Sequence, residues 1–139
     1  MIEFIYKTLE SIGFTHPLHP VATHIPMGMI LGSFLFALGS LKWDELAKTA
    51  HHCSILALLF LPITATLGIM DWQHRYAGMI SNFIIAKLIL AGTIAVLLSV
   101  TVYLYRKRNP GPKALMVLYT LCLFNGIGLG FIGGSLAYG

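Results

Sequence analysis

The opening residues of the chain repeat apolar positions in a helical rhythm, and the remainder is dominated by long apolar runs broken by short polar segments. Ile2, Ile5, Leu9 and Ile12 recur at helical spacing opposite Glu3, Lys7 and Glu10, which predicts an amphipathic helix. Residues 1–15 are too short to cross a bilayer. They also lack the basic start and cleavable end of a secretion signal, so they are expected to stay in the mature chain. The segment should lie in the membrane interface or pack as a cap over the rest.

From residue 16 onward the rhythm changes to apolar runs such as Ile55–Leu61 and Ile84–Tyr105. A membrane helix needs about 20 mostly apolar residues. Cutting the chain at its turn signals gives spans over about 18–39, 46–70, 79–105 and 114–136. Asp44 is the expected N-cap of the second span, and Asn109-Pro110-Gly111-Pro112 separates the third from the fourth. The expected fold is an all-α integral membrane protein. Residues 1–15 form an interfacial amphipathic segment, and residues 16–139 form a four-transmembrane-helix bundle.

Composition sharpens this reading. Hydrophobic residues make up 57% of the chain, charged residues only 10%, and the mean hydropathy is +0.81; soluble domains carry about 25% charged residues. Such a chain partners the lipid bilayer, which excludes a cytosolic enzyme and a nucleic-acid binder. The net charge of +4 is concentrated at one membrane side, where Lys42, Lys48, Arg106, Lys107, Arg108 and Lys113 flank the first-to-second and third-to-fourth connections. Lys7 and Arg75 alone fall on the other side. The positive-inside rule then places both termini outside, in the periplasm of a bacterial inner membrane. Cys53 and Cys122 lie in apolar runs, in no CxxC or CxxCH pattern, so neither a disulfide framework nor covalent haem attachment is expected.

The six histidines carry the candidate chemistry. His16, His19, His24 and His74 map to the outer side, where imidazoles on facing helices can bind haem iron, copper or zinc. His24 lies inside the first span, where ionisable groups are costly. Pro26 is expected to kink the helix and turn that ring toward the interior. Gly28 and Gly32 continue the His24 face as a smooth strip that would admit a flat macrocycle or a neighbouring helix. Gly126, Gly130 and Gly134 repeat such a strip on the fourth span, beside Asn125, which is expected to face protein. Lys87, about two turns inside the third span, needs an anionic or polar partner: a haem propionate, a quinone oxygen or Asp71. His51 and His52 sit near the cytoplasmic end, where at most one should face inward; His52 is kept as a possible ligand or proton-handling group. No Ser/His/Asp set, HExxH motif or phosphate loop is present, so no catalytic residue is assigned.

His16-Pro17-Leu18-His19-Pro20, His24-Ile25-Pro26-Met27-Gly28, Gly68-Ile69-Met70-Asp71-Trp72 and Gly133-Gly134-Ser135-Leu136-Ala137-Tyr138 together resemble a family of uncharacterised bacterial four-helix membrane domains. The resemblance covers nearly the whole chain and implies a four-helix architecture in a prokaryotic inner membrane with a redox role. Many members carry a histidine near the start of the third helix, where this chain has Gly78-Met79-Ile80-Ser81-Asn82; His74 would take over that role. The closing glycine pair is usually followed by an acid, here Ser135.

The function expected from these features is a b-type haem protein passing electrons between the quinone pool and a periplasmic acceptor, alone or as a subunit of a larger redox complex that oxidises quinol or reduces quinone. His24 and His74 are the expected axial ligands, with His19 and His16 as substitutes and Lys87 near the cofactor. Haem b, a quinone, a periplasmic cytochrome and further copies of the chain are the implied partners. A copper site of histidines with Met27, Met29, Met70 and Met79 is one alternative. A cofactor-free structural subunit packing through its glycine faces is the other.

Overall fold

The computed structural model describes residues 1–16, 18–108 and 110–138, the last three as backbone only. Pro17 of the opening motif, Asn109 of the proline-glycine turn, Gly139 and the side chains of Leu136, Ala137 and Tyr138 lie outside that description. The described residues form α1 (Ile2–Ser11), α2 (Leu18–Gly39), α3 (Glu45–Tyr76), α4 (Asn82–Lys107) and α5 (Pro112–Tyr138). The last four are each long and apolar enough to cross a membrane. Each packs on its sequence neighbour, and α2 also packs on α5, which closes a ring of four helices; α1 rests on α3.

These helices show almost no one-sided hydrophobicity, because both faces are apolar. What marks the inward face is small and polar residues at seven-residue intervals. On α3 the buried set includes Ala50, Ala57, Thr64 and Asp71. On α2 Pro26 pairs with Ser33, and Ile30 with Ala37; on α4 Ile94 pairs with Thr101. On α5 Leu115 and Cys122 form one such pair, and Tyr119 and Gly126 form another. A seven-residue seam is the register of left-handed coiling. Small side chains there allow the close approach that stabilises helices in lipid. Ile30, Ala57, Ile94, Leu98 and Cys122 form the central core, and Ala37, Ala50, Leu115 and Tyr119 a second cluster toward the basic end. Between them the Ser33 and Ser54 hydroxyls join α2 to α3 at 3.2 Å. Large apolar residues such as Leu59, Leu88, Ile89 and Phe131 face outward, where lipid would solvate them.

The helix limits differ from expectation in three places. α3 continues past residue 70 to Tyr76, because the first left-handed residues are Ala77 (φ 46°) and Gly78 (φ 72°). Asp71, Trp72, His74 and Arg75 therefore ride on a helix rather than in a connection. With 32 residues, α3 is about 48 Å long, well beyond a hydrocarbon core of about 30 Å. α4 starts at Asn82 instead of residue 79, with the Ile84 amide donating to Ser81 Oγ at 3.3 Å as a side-chain cap. Asp44 occupies the N-cap position of α3, but its backbone is already helical and its side chain caps nothing.

The glycine strips divide. Gly32 faces Cys53 Sγ, and Gly126 faces Met27 and Ile30, so both permit tight contact between helices. Gly28 is exposed and has nothing beside it.

Candidate functional site

The polar groups at the α1 end converge on the carboxylate of Asp71, which is only 7% exposed. The free amides at the start of α2 point at it: Leu18 N donates to Oδ1 at 3.2 Å and His19 N to Oδ2 at 2.7 Å. A helix leaves its first four N–H groups without internal partners and concentrates partial positive charge there. A carboxylate supplied by another helix satisfies both needs. The Tyr6 hydroxyl of α1 also donates to Oδ1. Tyr6 is the buried residue of α1, and its ring stacks on His74 at 4.0 Å with the planes 2° apart. Arg75 Nη2 donates to the Thr15 carbonyl at 2.9 Å, tying the link between α1 and α2 to the end of α3. Trp72 Nε1 donates to the Met79 carbonyl at 2.8 Å, closing the turn toward α4. α1 is thus a docked cap through Tyr6, while Phe4 and Ile12, 74% and 75% exposed, remain free to enter an interface.

The proton on Tyr6 is held tightly. Burial first, and the adjoining Asp71 carboxylate second, push its pKa far above the ordinary value near 10, against a smaller opposing pull from Arg75. Because folding favours the neutral phenol, α1 docking is at full strength below the unfolded value near 10, weakens progressively above it and is lost only through the much higher folded value. Anisotropy of an N-terminal dye should therefore fall above about pH 10. The Tyr6→Phe chain should show a lower, flat profile, and identical profiles for the two chains would contradict the docking role.

The sequence-selected histidines divide into three settings. His19 is half-buried between α2 and α3, with Nδ1 2.8 Å from the Thr64 carbonyl. Its ring fits there because Gly68 has no side chain: a Cβ at that position would lie 2.9 Å from Nδ1. His24 is exposed, with Nδ1 2.6 Å from the Pro20 carbonyl one turn back. A carbonyl only accepts, so Nδ1 carries a proton in both rings, and in the neutral form Nε2 keeps the lone pair. The expected inward turn of His24 at Pro26 does not occur. The ring folds back along its own helix, and Pro26 itself is the buried residue. His74 lies against Tyr6, and exposed His16 tilts against Phe14 at 6.0 Å.

His19 and His74 therefore belong to one hydrogen-bonded and stacked assembly around Asp71, whereas His24 and His16 stand outside it. Lys87, half-buried on α4, is close enough for its charge to act on both Asp71 and His19. Among the described residues no group of three or more His, Cys, Asp or Glu side chains gathers as a metal-binding array. Met27 and Met29 pack against the core, and Met79 is exposed.

Sequence reasoning missed Tyr6 and Thr64, and it named Gly68 only as part of a motif, without its contact to His19. Tyr6 shares a face with Ile2, Ile5 and Leu9, so its inward position was readable from spacing. Thr64 falls seven residues before Asp71, on the buried seam. At the opposite end, His51 is buried and His52 exposed, in line with the expectation that only one faces inward. The Asn125 Oδ1 is buried without a hydrogen-bond partner, so that residue does face protein.

No protein-family model, no curated protein and no solved structure matches this chain.

Proposed function

We propose that this chain is a b-type haem protein of the bacterial inner membrane, with both termini periplasmic, that carries electrons between the quinone pool and a periplasmic acceptor. It acts alone or as the membrane subunit of a larger redox complex. The pose of His24 carries this reading. Its Nδ1–H is tied to the Pro20 carbonyl one turn back, leaving Nε2 as a lone pair on an exposed ring, and Gly28, one turn further along α2, is open as well. Metal-binding histidines are characteristically fixed in this way through their second nitrogen. A flat macrocycle requires backbone that it can approach closely, which Gly28 offers. The donor chemistry therefore suits a haem that His24 would hold. His19, with the same Nδ1 arrangement, His16 and His74 would be the candidates for a second iron ligand. Bound haem would supply a one-electron carrier. Lys87 would balance a propionate or a polar quinone oxygen.

The test is the absorption spectrum of detergent-purified protein, oxidised and then reduced, with a pyridine haemochrome assay. Near-stoichiometric haem with sharp reduced bands is expected, and His24→Ala should lose it while inserting normally. Full haem retention in that variant would remove His24 as a ligand. A featureless spectrum from haem-replete cells would leave the cofactor-free structural subunit. That second reading draws support from the mutual satisfaction of Asp71, Tyr6 and the α2 amides, which needs no cofactor.

A further inference from the structure

The side-chain charge of the chain is concentrated at the end of the bundle that the Asp71 assembly does not occupy. Around the α2–α3 and α4–α5 turns stand Lys42, Lys48, Arg106, Lys107, Arg108 and Lys113, against only Asp44 and Glu45. At the α1 end Lys7, Arg75 and Lys87 are matched by Glu3, Glu10 and Asp71, so the whole net charge of +4 sits at the two turns. Those turns meet in space: a cleft of about 320 Å³ is lined by Ser40 and Asp44 from the first and by Pro110 and Pro112 from the second. All six cations are exposed. Among the described residues none of them is paired with a carboxylate; Lys42 Nζ lies instead over the Trp43 ring, 4.9 Å from its centre. Cations clustered without counter-charges of their own set up a positive potential that attracts anions.

We propose that this end of the bundle binds the headgroups of anionic phospholipids, whose phosphates are drawn to the cations on the two turns. Three observations select this partner. The first is charge complementarity, since six unpaired cations face two acids. The second is position: the cations flank the ends of four helices long and apolar enough to cross a membrane, at the level where lipid phosphates lie. The third is the pair of rings beside them. Trp43 and Tyr103 are each 58% exposed, and such rings settle among headgroups. Asp44 opposes a phosphate and so weakens the attraction without cancelling it. The surface goes beyond the haem reading and does not require haem.

The two tryptophans stand at opposite ends, Trp43 beside the cations and Trp72 near α1. A Trp72→Phe chain therefore reports on the basic end, and a Trp43→Phe chain on the other. Each is placed in phosphatidylcholine nanodiscs, and part of the lipid is exchanged for acyl-brominated phosphatidylglycerol or acyl-brominated phosphatidylcholine. Bromine quenches a nearby indole, so the ratio of the two quenching curves gives the relative affinity for the anionic lipid. At Trp43 that ratio should be about threefold or more, and at Trp72 near one. About 1 M salt, which shortens the screening length to about 3 Å, should bring the Trp43 ratio toward one. The combined Lys42→Gln, Arg106→Gln and Arg108→Gln variant should do the same, whereas Asp44→Asn should raise the ratio. Thermal midpoints confirm that each variant is folded, and the salt series reads the wild-type charges directly. Equal quenching by the two lipids at Trp43, an equal preference at both tryptophans, or a preference unmoved by salt and by charge removal would each overturn the proposal. Loss of the preference on adding soluble glycerol phosphate at matched ionic strength would reassign the cations to a soluble phosphate and overturn it equally.

Discussion

Replacing Asp71 with alanine should destabilise the folded chain by about 3–5 kcal/mol and release α1. The carboxylate accepts from Tyr6 and from two main-chain amides of α2. Hydrogen bonds to a charged group contribute about 1.5–3 kcal/mol each, and truncation leaves all the donors facing a void. The loss falls short of the simple sum because a frayed α2 start can reach water. Asp71→Asn should fall between the two, since its NH2 group must oppose one of the donors it replaces. Denaturation in mixed micelles measures the stability change, and limited proteolysis after Ser11 reads the release of α1. An unchanged midpoint in Asp71→Ala would show that the carboxylate does not hold this end together.

The second large effect is expected at Gly68. An alanine Cβ there would lie 2.9 Å from His19 Nδ1 and 3.2 Å from Cε1, closer than real contacts allow. The imidazole must then leave the Thr64 carbonyl, at a cost of about 1–3 kcal/mol in lost hydrogen bonding and strained packing. A double-mutant cycle isolates the cause. In a His19→Ala background Gly68→Ala should be nearly neutral, because the methyl then fills space that the ring vacated. Additive losses would place the strain elsewhere on α3.

The number of helices and most of their limits were legible because run length against bilayer thickness is a strong signal. The extension of α3 was not. Asp71-Trp72-Gln73-His74-Arg75-Tyr76 looks like a polar connection by composition, yet it contains no residue that breaks a helix before Ala77 and Gly78. The inward faces were also obscured, since lipid and core are both apolar and leave no one-sided hydrophobicity to detect. They were recorded in the seven-residue spacing of Ala50, Ala57, Thr64 and Asp71, a pattern of small and polar residues. For the candidate site, the histidines toward the α1 end were grouped from depth alone. The direction of each ring was not, because it depends on single carbonyls: Pro20 for His24, Thr64 for His19. Tyr6 escaped notice because its role depends on a carboxylate 65 positions away.

The capping of α2 by Asp71 bears on the order in which the chain enters the membrane. Fifty-two residues separate His19 from the carboxylate that accepts its amide hydrogen. When α2 leaves the ribosome its first turn is incomplete, and the acid that completes it has not been synthesised. Conversely, Asp71 inserted without α2 would bring an unpaired charge to the edge of the hydrocarbon. Each span thus carries half of a polar contact that lipid tolerates only when whole. The unit expected to enter the bilayer stably is therefore the α2–α3 hairpin, with α4 and α5 adding to a pair already locked at the end where α1 docks.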